Sequence, residues 1–164
     1  METKPHNLSP PQLLLDPNNY RFHDLPQYKR VANRARYAEE GVQNKALELL
    51  STTDAFDLDG LKDSILTNGY VPIEQIVAVE YADTEERKRY LIVEGNRRVA
   101  AVKILLSDTA GAVDISEAYL HTLQHLPVIE VIGSEDERKD YQRTLMAIRH
   151  VAGIKEWGHI NKPA

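Results

Sequence analysis

The apolar positions of this chain change period most sharply between Arg89 and Leu106. Leu91, Ile92 and Val93 are consecutive in a β-prone stretch and predict a buried strand. Glu94-Gly95-Asn96 interrupts it, and from Arg97 the residues Val99, Val102, Leu105 and Leu106 recur at helical spacing. A strand therefore turns through a glycine directly into a helix. Such a junction leaves backbone N–H groups without intrahelical acceptors at the helix start.

The remaining pattern predicts a set of shorter elements. Residues 1–11 carry three prolines and no periodicity, and read as a flexible leader. Leu13-Leu14-Leu15 is a short apolar run stopped by Asp16-Pro17-Asn18-Asn19, a turn signal, so a brief strand is expected to deliver Asn19 and Arg21 to its end. Between residues 23 and 56 the pattern is weak. Helices are expected near 27–38 and 42–51, as an insertion outside the core. From Asp57, with Asp57 or Asp59 as the capping residue, Leu58, Leu61, Ile65 and Leu66 form one helical stripe that ends at Asn68-Gly69. Tyr70-Val71-Pro72 is expected to be extended. Ile76–Val79 is continuous and apolar, a strand covered on both faces, and Asp83-Thr84-Glu85-Glu86 turns it into a hairpin with the strand ending at Val93.

Past the central helix, Ile115, Ala118, Tyr119 and Leu123 predict a short helix, and Leu126–Ile132 a strand with proline near its start. Ser134-Glu135-Asp136-Glu137 is a capping box opening a long helix to about Val151. Its stripe is Tyr141, Leu145, Ile148 and Ala152, with Gly153 as the stop and Trp157 packing the tail back. The sum is one α/β (α+β) domain, a small mixed β-sheet surrounded by helices.

Composition narrows the function classes. At 164 residues the chain suits a single domain, and no apolar run reaches the ~18 residues that span a bilayer. There are no cysteines, which excludes disulfides and thiolate chemistry; with no signal-like apolar start, a cytoplasmic location is the expectation. A net charge of −5 argues against a surface that grips nucleic acid throughout, although basic clusters stand at Lys29–Arg36, Arg87–Arg89 and Arg97-Arg98. The first of these reads as a solvated face or as a phosphate or partner contact.

Candidate chemistry centres on the glycine turn. Arg97 and Arg98 add positive charge to a helix end whose dipole is already positive, an arrangement that favours a bound anion. The alternative is pairing of either arginine with Glu94 or another carboxylate. Glu94 itself is either a functional carboxylate or a turn residue paired with Arg97 or Lys103. His121 and His125, four residues apart, would share a helix face but lack an evident third metal ligand.

The succession of these pieces resembles the N-terminal domain of the ParB/sulfiredoxin superfamily across residues 12–155, with 23–56 as a helical insertion and 156–164 as a tail leading on from the domain. Asp16-Pro17-Asn18-Asn19-Tyr20-Arg21 is similar to the ParB Asn-Pro-x-Gln-Pro-Arg box, keeping Pro17 and Arg21. Gly95, Arg97, Arg98 and Ala101 match the Gly-Glu-Arg-Arg-x-Arg-Ala box, while Asn96 and Ala100 depart from it. The third ParB box, Glu-Asn-x-x-Arg, corresponds to the region Leu145–Gly153, which has Arg149 and His150 but neither the Glu nor the Asn.

The resemblance implies a nucleoside triphosphate, CTP or ATP, held by Gly95, Asn96, Arg97 and Arg98, closed by Asn19 and Arg21 from the first strand and by Arg149 from the late helix. It implies Mg2+, with Glu94 as the candidate metal ligand and catalytic carboxylate for hydrolysis. DNA would be reached through a partner or a further region, and a homodimer is the candidate assembly. Two other activities of this fold stay open: a nuclease or phosphotransferase using Glu94, and a non-catalytic interaction module. The sulfiredoxin reaction is excluded by the missing cysteine.

Overall fold

Among the described residues five strands and five helices follow one another as two strands, two helices, two strands, two helices, a strand and a final helix. The computed structural model describes the backbone of residues 2–70, 75–84, 87–108 and 115–160, and the side chains of 2–70, 75–81, 88–107 and 115–148. The strands are β1 (Glu2–Leu8), β2 (Leu13–Leu14), β3 (Ile76–Thr84), β4 (Arg87–Glu94) and β5 (Leu126–Ile132). The helices are α1 (Glu40–Thr52), α2 (Leu58–Asn68), α3 (Asn96–Asp108), α4 (Glu117–Gln124) and α5 (Glu135–Ile160). One mixed sheet runs in the order β1-β5-β3-β4-β2, so the protein is a small α/β (α+β) domain.

Register decides which strand ends meet at the Gly95 turn. β3 and β4 are antiparallel with Val77 opposite Glu94, β3 and β5 are parallel with Ile76 opposite Val128, and β2 is parallel to β4 with Leu14 opposite Leu91. The C-terminal ends of β2 and β4 and the N-terminal ends of β3 and β5 therefore meet at one edge. Gly95 turns the chain there.

Each face of the sheet carries its own apolar cluster. The larger joins Ile76, Ala78, Tyr90, Ile92 and Val128 to α1, α2, α3 and α4. In α3 four successive residues, Val99 to Val102, are fully buried, so this helix is surrounded by the sheet and its neighbours. Each buried Val or Leu there contributes about 1.5–3 kcal/mol. The smaller cluster, on the other face, sets Leu14, Val77, Val79, Leu91 and Val131 against Tyr141 and Leu145 of α5 and against Tyr37 and Ala38. Ile76–Val79 is thus covered on both faces, as its continuous apolar run predicts.

Several expectations need correction. Residues 2–8 are not a loose leader: they form β1, paired antiparallel with β5 from Glu2↔Ile132 to Leu8↔Leu126. Most of the side chains of β1 are exposed, which erased any apolar alternation, and as an edge strand it tolerates Pro5. The helix expected over 27–38 is absent; only a 3-10 turn, Arg34–Arg36, forms there. The second strand ends at Leu14, and Tyr20–Phe22 is a 3-10 turn.

Segment 23–56 is also not external to the core. Ala46, Leu49, Leu50 and Phe56 are buried in the larger cluster, where Phe56 meets Phe22 edge-on at 6.0 Å. Gln43 of α1 fastens the edge of β2: its side-chain amide accepts from the Leu15 N–H and donates to the Leu15 carbonyl, both at 2.9 Å. In α5 the backbone runs through Gly153 to Ile160, and Ile148, expected in the buried stripe, is 59% exposed. Leu66 is likewise exposed on α2. Val71-Pro72, the Glu85-Glu86 turn, and the side chains of Ala152 and Trp157 lie outside the described residues. Among the described residues, no helix is long and apolar enough to cross a membrane.

Candidate anion site at the Gly95 turn

Gly95 is required by backbone geometry. Its φ is +102°, and a Cβ there would stand 3.1 Å from Ile76 Cγ1 and 3.3 Å from Ile76 Cα. Only glycine meets both conditions without strain. Its carbonyl accepts the first helical bond, from the Val99 N–H at 3.0 Å, so Gly95 occupies the N-cap position of α3 with no side chain to cap the helix. No acidic residue lies in the first turn of α3. Backbone N–H groups and two arginines therefore share a first turn that holds no carboxylate.

Two buried donors gather around this turn. Arg97 Nε is sealed from solvent without a hydrogen-bond partner, and so is the Tyr70 hydroxyl. These are the two such atoms among the described residues, and both adjoin the start of α3. Arg98 lies over the Tyr70 ring with its guanidinium carbon 5.9 Å from the centroid. Burial pushes the Tyr70 hydroxyl above its ordinary pKa, while the nearby Arg98 charge pulls it down. Arg98 thus acts on that hydroxyl even though the geometry at the oxygen is not that of a good hydrogen bond. An unsatisfied buried donor costs about 1–3 kcal/mol, more when it is charged.

The side chains expected to complete the site divide into those that stay at the turn and those that do not. Asn96 is 5% exposed and turns inward: its Oδ1 accepts from the Asp16 N–H at 2.8 Å and its Nδ2 donates to the Ile92 carbonyl at 3.4 Å. It fastens the loop after β2 to the turn. Asn19, also buried, caps the 3-10 turn by accepting from the Arg21 N–H at 3.1 Å. Arg21 is exposed, donates to the Tyr20 hydroxyl at 3.1 Å and lies over the Tyr20 ring. The side chain of Arg149 belongs to the undescribed part of α5.

Glu94 ends β4 half-buried and already engaged with a neighbour. Lys103, considered as its partner, donates to the Pro10 carbonyl at 2.8 Å, and burial lowers its pKa to about 8. Ala100, where the ParB box has a third arginine, is fully buried and has no room for one.

Sequence reasoning missed the residue that organises the approach to this turn. Asn18 uses its whole side-chain amide: Oδ1 accepts from the Tyr28 hydroxyl (3.0 Å) and the Val31 N–H (2.8 Å). Its Nδ2 donates to the Val31 carbonyl (2.8 Å) and the Tyr37 hydroxyl (3.0 Å). Its own N–H donates to Asp16 Oδ1 at 2.9 Å. These bonds tie the loop 16–19 to Tyr28, Val31 and Tyr37. The Asp-Pro-Asn-Asn turn signal was visible in sequence, but the partners of Asn18 were not.

The arginine cluster upstream does not join the site. Arg34 donates to the carbonyls of Glu80 and Tyr81 over the Tyr81 ring, and Arg36 pairs with Glu39. His121 and His125 stack at 4.0 Å, but no group of three or more His, Asp or Glu able to hold a metal is found among the described residues. A magnesium ion at the Gly95 turn would have Glu94 and Asp16 as nearby carboxylates and would take most of its oxygen shell from phosphate and water. Among the described residues, then, no built site for a resident magnesium ion stands at the turn. Comparison with protein-family models, curated proteins and solved structures returned no match.

Proposed function

We propose that the Gly95 turn binds the phosphates of a nucleoside di- or triphosphate, as the resemblance to ParB-type nucleotide-binding domains implies. The observation that carries this reading is a buried donor without a partner, Arg97 Nε, in the first turn of a helix that starts without a side-chain cap and bears two arginines, the second of them set against Tyr70. An anion would satisfy a donor that the described residues leave unsatisfied, and the helix dipole would add to the attraction. Backbone N–H groups of Asn96 to Arg98 would cradle the phosphates, and the charged groups would be Arg97 and Arg98. CTP and ATP are the candidate ligands. DNA association would run through a partner or another region, since the net charge of −5 gives little general affinity for phosphate backbones.

The test is calorimetric titration of CTP, ATP and GTP, each with Mg2+, into the wild type and Arg97→Ala. Saturable binding to the wild type that weakens at least tenfold in the variant supports the site, since losing a charge-assisted contact costs about 1.5–3 kcal/mol. Absence of binding by every nucleotide refutes it.

One set of observations favours a second reading, a non-catalytic interaction module. The side chains of Asn19 and Asn96 are used inside the fold and Arg21 turns to Tyr20, so fewer groups face a ligand than the resemblance implies. Use of Glu94 in a nuclease or phosphotransferase reaction has less support, because Glu94 already interacts with a neighbour.

A further inference from the structure

The far end of α3 borders a groove of about 470 Å3, shared with the turn Pro10–Gln12 and the C-terminal half of α4. We infer that this groove binds a small organic anion with an apolar body, a medium-chain monocarboxylate. Its volume lies within the span of about 300–1,000 Å3 usual for small-molecule sites. Pro10, Pro11, Leu106 and Leu120 give it apolar walls, Gln124 and His125 add polar groups, and no acidic side chain lines it.

A cation without a counter-ion stands against one of these walls. Lys103 lies one turn before Leu106 on the same side of α3, and its Nζ donates to the Pro10 carbonyl at 2.8 Å. That carbonyl also accepts from the Leu13 N–H. An ammonium has three donors, and among the described residues Pro10 answers one of them. Burial lowers the Lys103 pKa to about 8, so the amine is still charged at pH 7, and no carboxylate acts on it. A half-buried charge of this kind is costly unless it is paired, and a ligand carboxylate would pair it.

His125 supplies a second polar contact. Its Nδ1 donates to the His121 carbonyl at 2.8 Å, because a carbonyl only accepts, and this leaves Nε2 for a ligand. A neutral chain would fill the apolar walls without answering Lys103, and a cationic one would be repelled. The groove is separate from the phosphate site: at about 1.5 Å per residue, Lys103 is about 10 Å along α3 from Asn96.

The experiment titrates octanoate, octanol and octylammonium into the full chain at pH 7 and follows backbone amide NMR shifts. Saturable shifts are expected at Leu106, Leu120, Gln124 and His125. Octanoate should bind roughly tenfold tighter than octanol, the gain from a charge-assisted hydrogen bond, and octylammonium should bind most weakly. Lys103→Met keeps the length of the side chain and drops its charge. In that variant octanoate should fall to the affinity of octanol, with octanol unchanged. Arg97→Ala should bind octanoate as the wild type does.

Equal affinity of the wild type for octanoate and octylammonium overturns the proposal, whether or not Lys103→Met folds. So does a preference for octanoate that survives in Lys103→Met. Loss of octanoate binding in Arg97→Ala would put the anion at the Gly95 turn instead, and an absence of saturable shifts at the four groove residues would leave no ligand there. Either result also overturns it.

Discussion

Asn96→Ala isolates the bond that holds the loop after β2 against the Gly95 turn. The substitution removes an acceptor 2.8 Å from the Asp16 N–H and a donor 3.4 Å from the Ile92 carbonyl, from a residue 5% exposed. The long bond to Ile92 contributes little. The short one matters, because its loss leaves a backbone donor unpaired in a half-buried position at a cost of about 1–3 kcal/mol. For a domain of this size each kcal/mol lowers the melting temperature by about 2–4 °C, so a fall of about 4–8 °C is expected for a loss near 2 kcal/mol. Urea unfolding at 25 °C and calorimetry together measure it, with the urea slope unchanged if the native state stays intact. A variant within about 0.5 kcal/mol of the wild type would refute the claim that Asn96 fastens the loop.

Three further outcomes follow from the same geometry. Gly95→Ala forces a Cβ onto Ile76 at 3.1 Å with φ at +102°; strain and overpacking should together destabilise by about 2–5 kcal/mol, read by urea unfolding. Asp57 caps α2 through the Gly60 N–H while at φ +44°, so Asp57→Ala should lose about 1–2 kcal/mol, and Asp57→Asn, which also caps and tolerates that φ, much less, by the same assay.

The third concerns Asp16, whose pKa burial raises above the ordinary 3.8, against the lowering effects of the Asn18 N–H and His23. The folded state therefore holds that proton more tightly than the unfolded chain. Stability falls as pH rises from 3.8 through the raised value, and the loss persists above it. Asp16→Asn should unfold at higher urea than the wild type at neutral pH and at the same urea below the ordinary carboxylate range. An excess in the variant that does not shrink on acidification would contradict this.

The parts of the fold that were legible in sequence are those where a change of period and a special backbone residue coincide. Leu91–Val93, Gly95 and Val99–Leu105 announced strand, turn and helix because the glycine conformation and both apolar patterns pointed the same way. Asp57, Gly69 and Ser134 marked helix ends through local hydrogen bonds, which need no distant partner. β1 was hidden because its ladder to β5 uses backbone groups alone and its side chains face water. The role of α1 was hidden because Gln43 meets Leu15 28 positions away.

The site divides in the same way. Gly95, Arg97 and Arg98 could be singled out from local charge and backbone demands. Asn96 was read as a ligand contact because its true partner, Asp16, lies 80 positions distant. Asp16 and Asn18 gain their roles only through contacts that folding creates.

The most direct test of the central claim is thermal unfolding of the wild type and Arg97→Ala with no ligand and with CTP, ATP or GTP plus Mg2+. A ligand at about 100 times its dissociation constant adds about 2.7 kcal/mol, or a rise of about 5–11 °C for a chain of this length. An anion-binding Gly95 turn predicts that rise in the wild type with at least one nucleotide and its near absence in Arg97→Ala. No rise with any nucleotide, or an equal rise in both proteins, would contradict it.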